Sequence, residues 1–171
     1  HPEGGRKDTF QWSGAGKSAV AELEIYRQGG EFEPATPSAA DIAARMDPSG
    51  GPQEFESAGV VDSKFGTVAL LRLTGDTEPA RACLGFIKQI DDPALRLSGW
   101  SCLGDSLPAR RAAVGCMLNR LILLTAGNDA KLAELFARAE LRRPDCGASG
   151  ATALSADWIT GADNPRLRGT F

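Results

Sequence analysis

The sequence predicts an α+β domain: an antiparallel sheet of four to five strands, mainly a meander, covered by C-terminal helices and stabilised by disulfides. Apolar segments with short, turn-rich connections fill residues 54–101, and the apolar spacing changes to that of helices after Asp105. Short connections join antiparallel neighbours, because a parallel crossover needs about a dozen residues or more. The length of 171 residues indicates one domain spanning 1–171.

The N-terminal part contains one clear strand pattern, from Ala19 to Arg27. There, small and aliphatic residues alternate with glutamate and tyrosine, the period of two that is typical of a half-buried strand. A helix from Lys17 to Gln28 is the alternative, since Ala, Glu and Leu favour helices. We expect residues 1–12 to form a partly ordered arm, with ordered structure beginning near Trp12.

The predicted meander consists of the segments EFESAGVV, FGTVALLRLT, RACLGFIKQI and ALRLSGWS. Before them, Ser38 followed by Asp41 is typical of a helix start, and the breaker DPSGGP follows Met46. We therefore expect a short helix near Ala40, on the same face of the sheet as the C-terminal helices.

The last hairpin of the meander allows its register to be predicted. If residues 91–94 form the turn, Cys83 lies directly opposite Cys102. Opposed side chains on antiparallel strands are about 4.5 to 5.5 Å apart, which suits a cross-strand disulfide. By elimination, Cys116 pairs with Cys146.

The first C-terminal helix is predicted to begin after Ser106, a good N-cap, with Pro108 in its first turn. Its inward-facing apolar residues continue to Leu124, so we expect it to run to Thr125 and to end at Gly127.

The second helix is predicted to be capped by Asn128 or Asp129. Its apolar stripe has helical spacing and comprises Leu132, Leu135, Phe136 and Ala139. Glu134 and Arg138 are placed to pair on its outer face. Residues 147–171 show no period and are expected to form a tail that wraps around the domain.

Cysteine usage indicates the compartment. Cys83, Cys102, Cys116 and Cys146 are separated by 19, 14 and 30 positions, so none has the close spacing of a zinc or thioredoxin-like site. Disulfides persist in oxidising compartments, whereas buried thiols in a cytosolic domain are the alternative. Since the chain begins at His1 and not at methionine, we expect that a signal peptide or anchor was removed from a periplasmic or otherwise extracytoplasmic protein. A trimmed cytoplasmic protein is the alternative.

Composition and motifs leave little basis for catalysis. The only histidine is His1, so a serine or cysteine nucleophile lacks its usual base. The segment from Ser13 to Ser18 ends in GKS, but the first glycine of a phosphate-binding loop is replaced by Gln11. The net charge of −3 does not favour nucleic acid, and no stretch approaches the roughly 20 apolar residues of a membrane span. We assign no catalytic, cofactor or metal residues.

A ligand groove is the one binding site that the residue types suggest. Trp12, Trp100 and Trp158 offer stacking surfaces, although core packing is their commoner use. Arg110 and Arg111 stand at a predicted helix start, where they could bind an anion together with backbone N–H groups.

Four segments resemble exported bacterial proteins that have no assigned function. These are RACLGF (81–86), SGWSC (98–102), RRAAVGCMLNRL (110–121) and AELFARAELRR (133–143). The resemblance implies an exported protein and supplies no catalytic residues.

Together these observations predict a non-catalytic binding or structural module of the cell envelope, whose partner is another envelope protein or a small ligand. A small hydrolase or lyase that uses carboxylates and arginines is the alternative. A cytosolic regulatory domain with free thiols is the third possibility.

Overall fold

A computed structural model describes residues 5–16, 18–29, 39–48, 54–146 and 166–168 of the chain. Its elements, in chain order, are β1 (Arg6–Ser13), β2 (Ala19–Arg27), α1 (Ala39–Met46), β3 (Phe55–Ser63), β4 (Gly66–Leu73), α2 (Glu78–Ala82), β5 (Leu84–Ile90), β6 (Leu95–Ser101), α3 (Leu107–Asn119), α4 (Ala130–Leu141) and β7 (Arg166–Arg168). The strands form one antiparallel sheet in the order β3-β4-β5-β6-β2-β1-β7. The predicted α+β class and the meander of β3 to β6 are therefore confirmed.

The sheet is wider than the four to five strands predicted. Residues 6–12 of the expected arm belong to β1, which pairs along its length with β2, so regular structure is already present at Arg6, well before Trp12. Phe10 and Trp12 alternate with polar residues and pack against the core, which explains why this short segment forms a strand. β7 adds to the other edge of β1. The rest of the predicted tail, 147–165 and 169–171, lies outside the described residues, as does Ser38.

The strand alternative for Ala19–Arg27 is confirmed, and the helix alternative is wrong. This segment pairs with β1 on one side and with β6 on the other, so it occupies the interior of the sheet. Leu23 is fully buried, and the Cys102 N–H donates to the carbonyl of Val20 at 2.8 Å.

The predicted register of the β5–β6 hairpin is confirmed. Ile90 faces Leu95, and Leu84 faces Ser101. Cys83 directly precedes β5 and Cys102 directly follows β6, and the two form a disulfide with their Cα atoms 3.9 Å apart. The second predicted disulfide, Cys116–Cys146, is also present, with a Cα–Cα distance of 5.5 Å.

Helices cover both faces of the sheet, which differs from the single covered face expected. On one face, α3 and α4 pack over the side chains of Leu70, Phe86 and Leu97. On the other face, α1 contributes Ile42, Ala43 and Met46, which pack with Leu71, Leu73 and Trp100. Neighbouring residues of a strand point to opposite faces, so a strand such as β4, with adjacent Leu70 and Leu71 both buried, requires cover on both sides.

The helix α3 ends at Asn119, earlier than the predicted Thr125. Its C-cap is Arg120, and the next carbonyl, that of Leu121, accepts a hydrogen bond from the ammonium of Lys64. The Asn119 side chain accepts from the Lys64 N–H at 2.7 Å. These contacts with the tip of the β3–β4 hairpin replace further helical turns. In contrast, α4 is capped by Asp129, and Glu134 pairs with Arg138, both as predicted.

Candidate functional site

The structure does not bring the predicted groove tryptophans together. Trp12 lies opposite Ala21 in β2, whereas Trp100 lies opposite the next residue, Glu22. Adjacent strand residues point to opposite faces, so Trp12 faces the side of α3 and α4, and Trp100 faces α1. Trp158 lies outside the described residues.

The two predicted arginines diverge from the first turns of α3. The guanidinium of Arg111 donates to the carbonyl of Ala58, at an irregularity in β3 next to Gly59. This bond attaches α3 to the edge of the sheet. Arg110 donates instead to the carbonyl of Gly104 at 3.2 Å and lines a cavity. Among the groove candidates that the structure describes, Arg110 is thus the one that reaches this cavity.

The cavity has a volume of about 400 Å³ and lies between the C-terminal end of β4 and the start of α3. We call it the α3 cavity. Its polar wall contains Arg72 and Arg110, and Arg72 donates to Glu56 at 2.6 Å. Its remaining lining is Leu73, Thr74, Gly75, Ala80, Cys83, Leu84 and Leu107. The arrangement joins positive charge to an apolar surface beside the Cys83–Cys102 disulfide.

Arg72 was not among the sequence candidates, because it occupies an ordinary exposed position in an alternating strand. What places it opposite Arg110 is the packing of α3 beside the end of β4. The contact between these two elements cannot be inferred from the residue spacing within either segment.

A second group of charged residues lies beneath α1 on the opposite face of the sheet. We call it the α1 charge cluster, and its members are Lys7, Glu22, Glu24, Arg45 and Arg96. Arg45 Nη1 donates to Glu22 Oε1 at 2.7 Å and to Glu24 Oε2 at 3.3 Å. The ammonium of Lys7 lies 3.2 Å from Glu24 Oε2, and Arg96 Nη2 lies 3.6 Å from Glu24 Oε1.

The cluster is buried at its centre. Glu24 is 4% exposed and Arg96 is 3% exposed. Desolvation by this burial lowers the pKa of Arg96, and the nearby Glu24 carboxylate opposes that change. The Arg96 guanidinium also lies over the ring of Tyr26, 4.7 Å from its centroid. Because arginine stays protonated in proteins, the cluster holds a buried positive charge.

Several polar atoms around this cluster make no hydrogen bond. They are Glu24 Oε1, Arg45 Nε and Nη2, Arg96 Nε, Ser98 Oγ and Trp100 Nε1. The sequence did not predict this cluster, because alternation placed Glu22 and Glu24 on the solvent side of a half-buried strand. The apolar face of α1 was the one indication in the sequence that a helix would cover this face of the sheet.

Neither site offers a metal-binding arrangement: within the described ranges, no three His, Cys, Asp or Glu side chains are grouped so that they could hold an ion. Over the same part of the chain, every helix is too short or too polar to cross a membrane. Comparison with known proteins found no matching family model, no similar curated protein and no similar solved structure.

Proposed function

We propose that this chain is an exported, disulfide-stabilised binding module of the cell envelope that acts without catalysis. The observation that supports it best is that all four cysteines are paired in two disulfides. Such pairs persist in oxidising compartments and are rare in the cytosol. The pairing therefore argues against a cytosolic regulatory domain with free thiols.

The α3 cavity is the binding site in this proposal. Arg72 and Arg110 supply positively charged groups, while Leu73, Leu84 and Leu107 supply apolar surface. A ligand that complements this wall has one negative charge next to an apolar group. Small-molecule sites commonly combine a mainly apolar wall with a few polar groups that fix orientation.

Two sources present this chemistry: a small amphipathic carboxylate, or an acidic and apolar segment of another envelope protein. Hexanoate and a short peptide with glutamate beside leucine serve as the two probes. We expect one of them to shift the backbone amide resonances of residues 72–75 and 107–110 in a saturable way. Hexanol, which lacks the charge, serves as the matched ligand control.

The variants Arg72→Gln and Arg110→Gln test the site directly. Each is expected to weaken binding about tenfold, the effect of losing one hydrogen bond to a charged group. Arg138→Gln is the control, because this arginine lies on the exposed face of α4 and pairs with Glu134. If neither probe binds, or if binding survives both cavity variants, the proposed site is wrong.

The α1 charge cluster gives the enzyme alternative one specific observation, because it brings two carboxylates and two arginines together. Both carboxylates, however, accept from the same guanidinium nitrogen of Arg45. Two carboxylates that share one guanidinium nitrogen are engaged in ion pairs within the fold, and a general acid or base must instead be within hydrogen-bond reach of the substrate. We therefore assign Glu22 and Glu24 to structure and binding in this proposal, and not to catalysis.

A further inference from the structure

We propose that the α1 charge cluster, together with Ser98 and Trp100, is a second binding site, which accepts a single carboxylate group. The inference is independent of the α3 cavity, since the two sites share no residue. It rests on three properties of the cluster: its geometry, its charge and its unused hydrogen-bonding atoms.

The strand register brings the unpartnered groups together. Glu24 faces Ser98 across the β2–β6 pair, and Glu22 faces Trp100. Opposed side chains on antiparallel strands are about 4.5 to 5.5 Å apart at Cβ. Arg45 reaches this same area from α1, since its guanidinium contacts both glutamates. Polar groups of β2, β6 and α1 therefore lie in one region.

Among the described residues, the positive charges of this region outnumber its negative charges by one. Lys7, Arg45 and Arg96 contribute three positive charges, and Glu22 and Glu24 contribute two negative charges. The charges of Arg45 and Arg96 match those of Glu22 and Glu24, so the surplus lies with Lys7 at the exposed edge of the cluster. An occupant with one negative charge would make the region neutral.

The unused atoms specify the hydrogen-bonding character of that occupant. Four of them are N–H donors: Arg45 Nε, Arg45 Nη2, Arg96 Nε and Trp100 Nε1. One is the hydroxyl of Ser98, which can donate or accept, and one is the acceptor Glu24 Oε1. Most of the region thus requires acceptors, and a carboxylate provides two oxygens that can each accept more than one bond.

The cluster is partly exposed at its rim. The side chain of Lys7 is 52% exposed and that of Arg45 is 28% exposed, whereas Glu24 and Ser98 are buried. Arg45 is therefore the partly exposed member of the cluster that a small carboxylate would contact first. Water alone would satisfy the donors, whereas a carboxylate would also balance the surplus positive charge of the described residues.

Acetate is the probe for this site, with neutral acetamide as its isostere. The reporter is the indole N–H resonance of Trp100 by nuclear magnetic resonance, assigned with Trp12→Phe and Trp158→Phe, which leave Trp100 in place. We expect a saturable shift of this resonance with acetate at constant ionic strength, no shift with acetamide, and no comparable shift of the Trp12 indole.

Two variants complete the test. Ser98→Ala, a small change within the sheet, and Arg45→Gln, on the rim, are each expected to raise the half-saturating acetate concentration about tenfold. Arg138→Gln on α4 is expected to leave it unchanged. A response to acetamide equal to that of acetate, or no saturable shift at all, would overturn the proposal and leave water as the occupant.

Discussion

Lys64 and Glu140 join the tip of the β3–β4 hairpin to the last turn of α4. The Lys64 side chain is fully buried, its ammonium contacts the Glu140 carboxylate, and the rings of Phe65 and Phe136 lie 5.2 and 5.7 Å from it. The two rings also pack edge to face, with centroids 5.2 Å apart. This contact fixes one end of the sheet against the helical layer.

The Lys64–Glu140 contact makes stability depend on pH. The hydrogen bond from Lys64 lowers the pKa of Glu140 below its ordinary value of 4.5. A carboxyl group with a lowered pKa contributes stability above its unfolded-state pKa and loses it as pH falls through the folded-state pKa. Wild type should therefore have a higher melting temperature than Glu140→Gln at neutral pH, with the difference disappearing as the solution is acidified below pH 4.5.

Glu134→Gln is the control for this prediction. Glu134 pairs with Arg138 on the exposed face of the same helix, and such pairs contribute only a few tenths of a kcal/mol. Its melting temperature should stay close to that of wild type at every pH. A gap between Glu140→Gln and wild type that is constant across the acid range would contradict the assignment.

The α1 charge cluster should be sensitive to loss of its central carboxylate. Glu24→Ala leaves Arg96 buried without its counterion, which should lower the free energy of unfolding by about 3–5 kcal/mol. Glu22→Ala is the matched variant, and its loss should be clearly smaller, because Glu22 contacts only the partly exposed Arg45 among the cluster cations. Urea unfolding measures both, and equal losses would count against a buried centre at Glu24.

Close approach of β2 and β6 predicts the effect of a single methyl group. A Cβ atom added at Gly99 would lie 2.0 Å from the carbonyl oxygen of Glu22 and 3.0 Å from the ring of Phe86. Backbone cannot yield as a flexible side chain does, so Gly99→Ala should cost more than about 3 kcal/mol or prevent folding. Gly16→Ala, whose nearest contact is the Ser18 hydroxyl at 3.9 Å, should stay within about 0.5 kcal/mol of wild type. Thermal unfolding of the two variants distinguishes them, and similar stabilities would refute the close packing.

Each disulfide should stabilise the fold, because closing a loop lowers the conformational entropy of the unfolded chain. By the chain-entropy relation, closing loops with separations of 19 and 30 residues contributes about 3–4 kcal/mol each. The double variants Cys83→Ser/Cys102→Ser and Cys116→Ser/Cys146→Ser should therefore unfold at lower urea concentration than wild type. Added reductant should destabilise wild type further than it destabilises either variant. A variant as stable as wild type would show that its disulfide does not form in solution.

The hairpin register was predictable because the turn and the period of two act locally. With a turn at 91–94, the pairing of the two strands follows residue by residue, and this pairing places Cys83 opposite Cys102. The Cys116–Cys146 disulfide followed only by elimination. Local chemistry also predicted the cap of α3 at Ser106 and that of α4 at Asn128 or Asp129. The side chains of Ser106 and Asp129 accept hydrogen bonds from the first turns of these helices.

The features that the sequence did not predict depend on contacts between distant segments. The early end of α3 depends on Lys64, which lies 57 positions before Leu121. The α1 charge cluster depends on α1 covering a face whose glutamates resemble solvated strand residues. In the same way, the α3 cavity depends on the packing of Arg72 beside Arg110. Spacing within a segment contains no information about such neighbours.

The most direct test of an exported, disulfide-stabilised module is to map the cysteines of the unreduced protein from its native cells, with thiols blocked at lysis. Trypsin cleaves after Lys88, Arg96, Arg111 and Arg120, so each cysteine falls on its own peptide. We predict linked peptides joining Cys83 to Cys102 and Cys116 to Cys146. Four blocked thiols would contradict the account and indicate a reducing compartment.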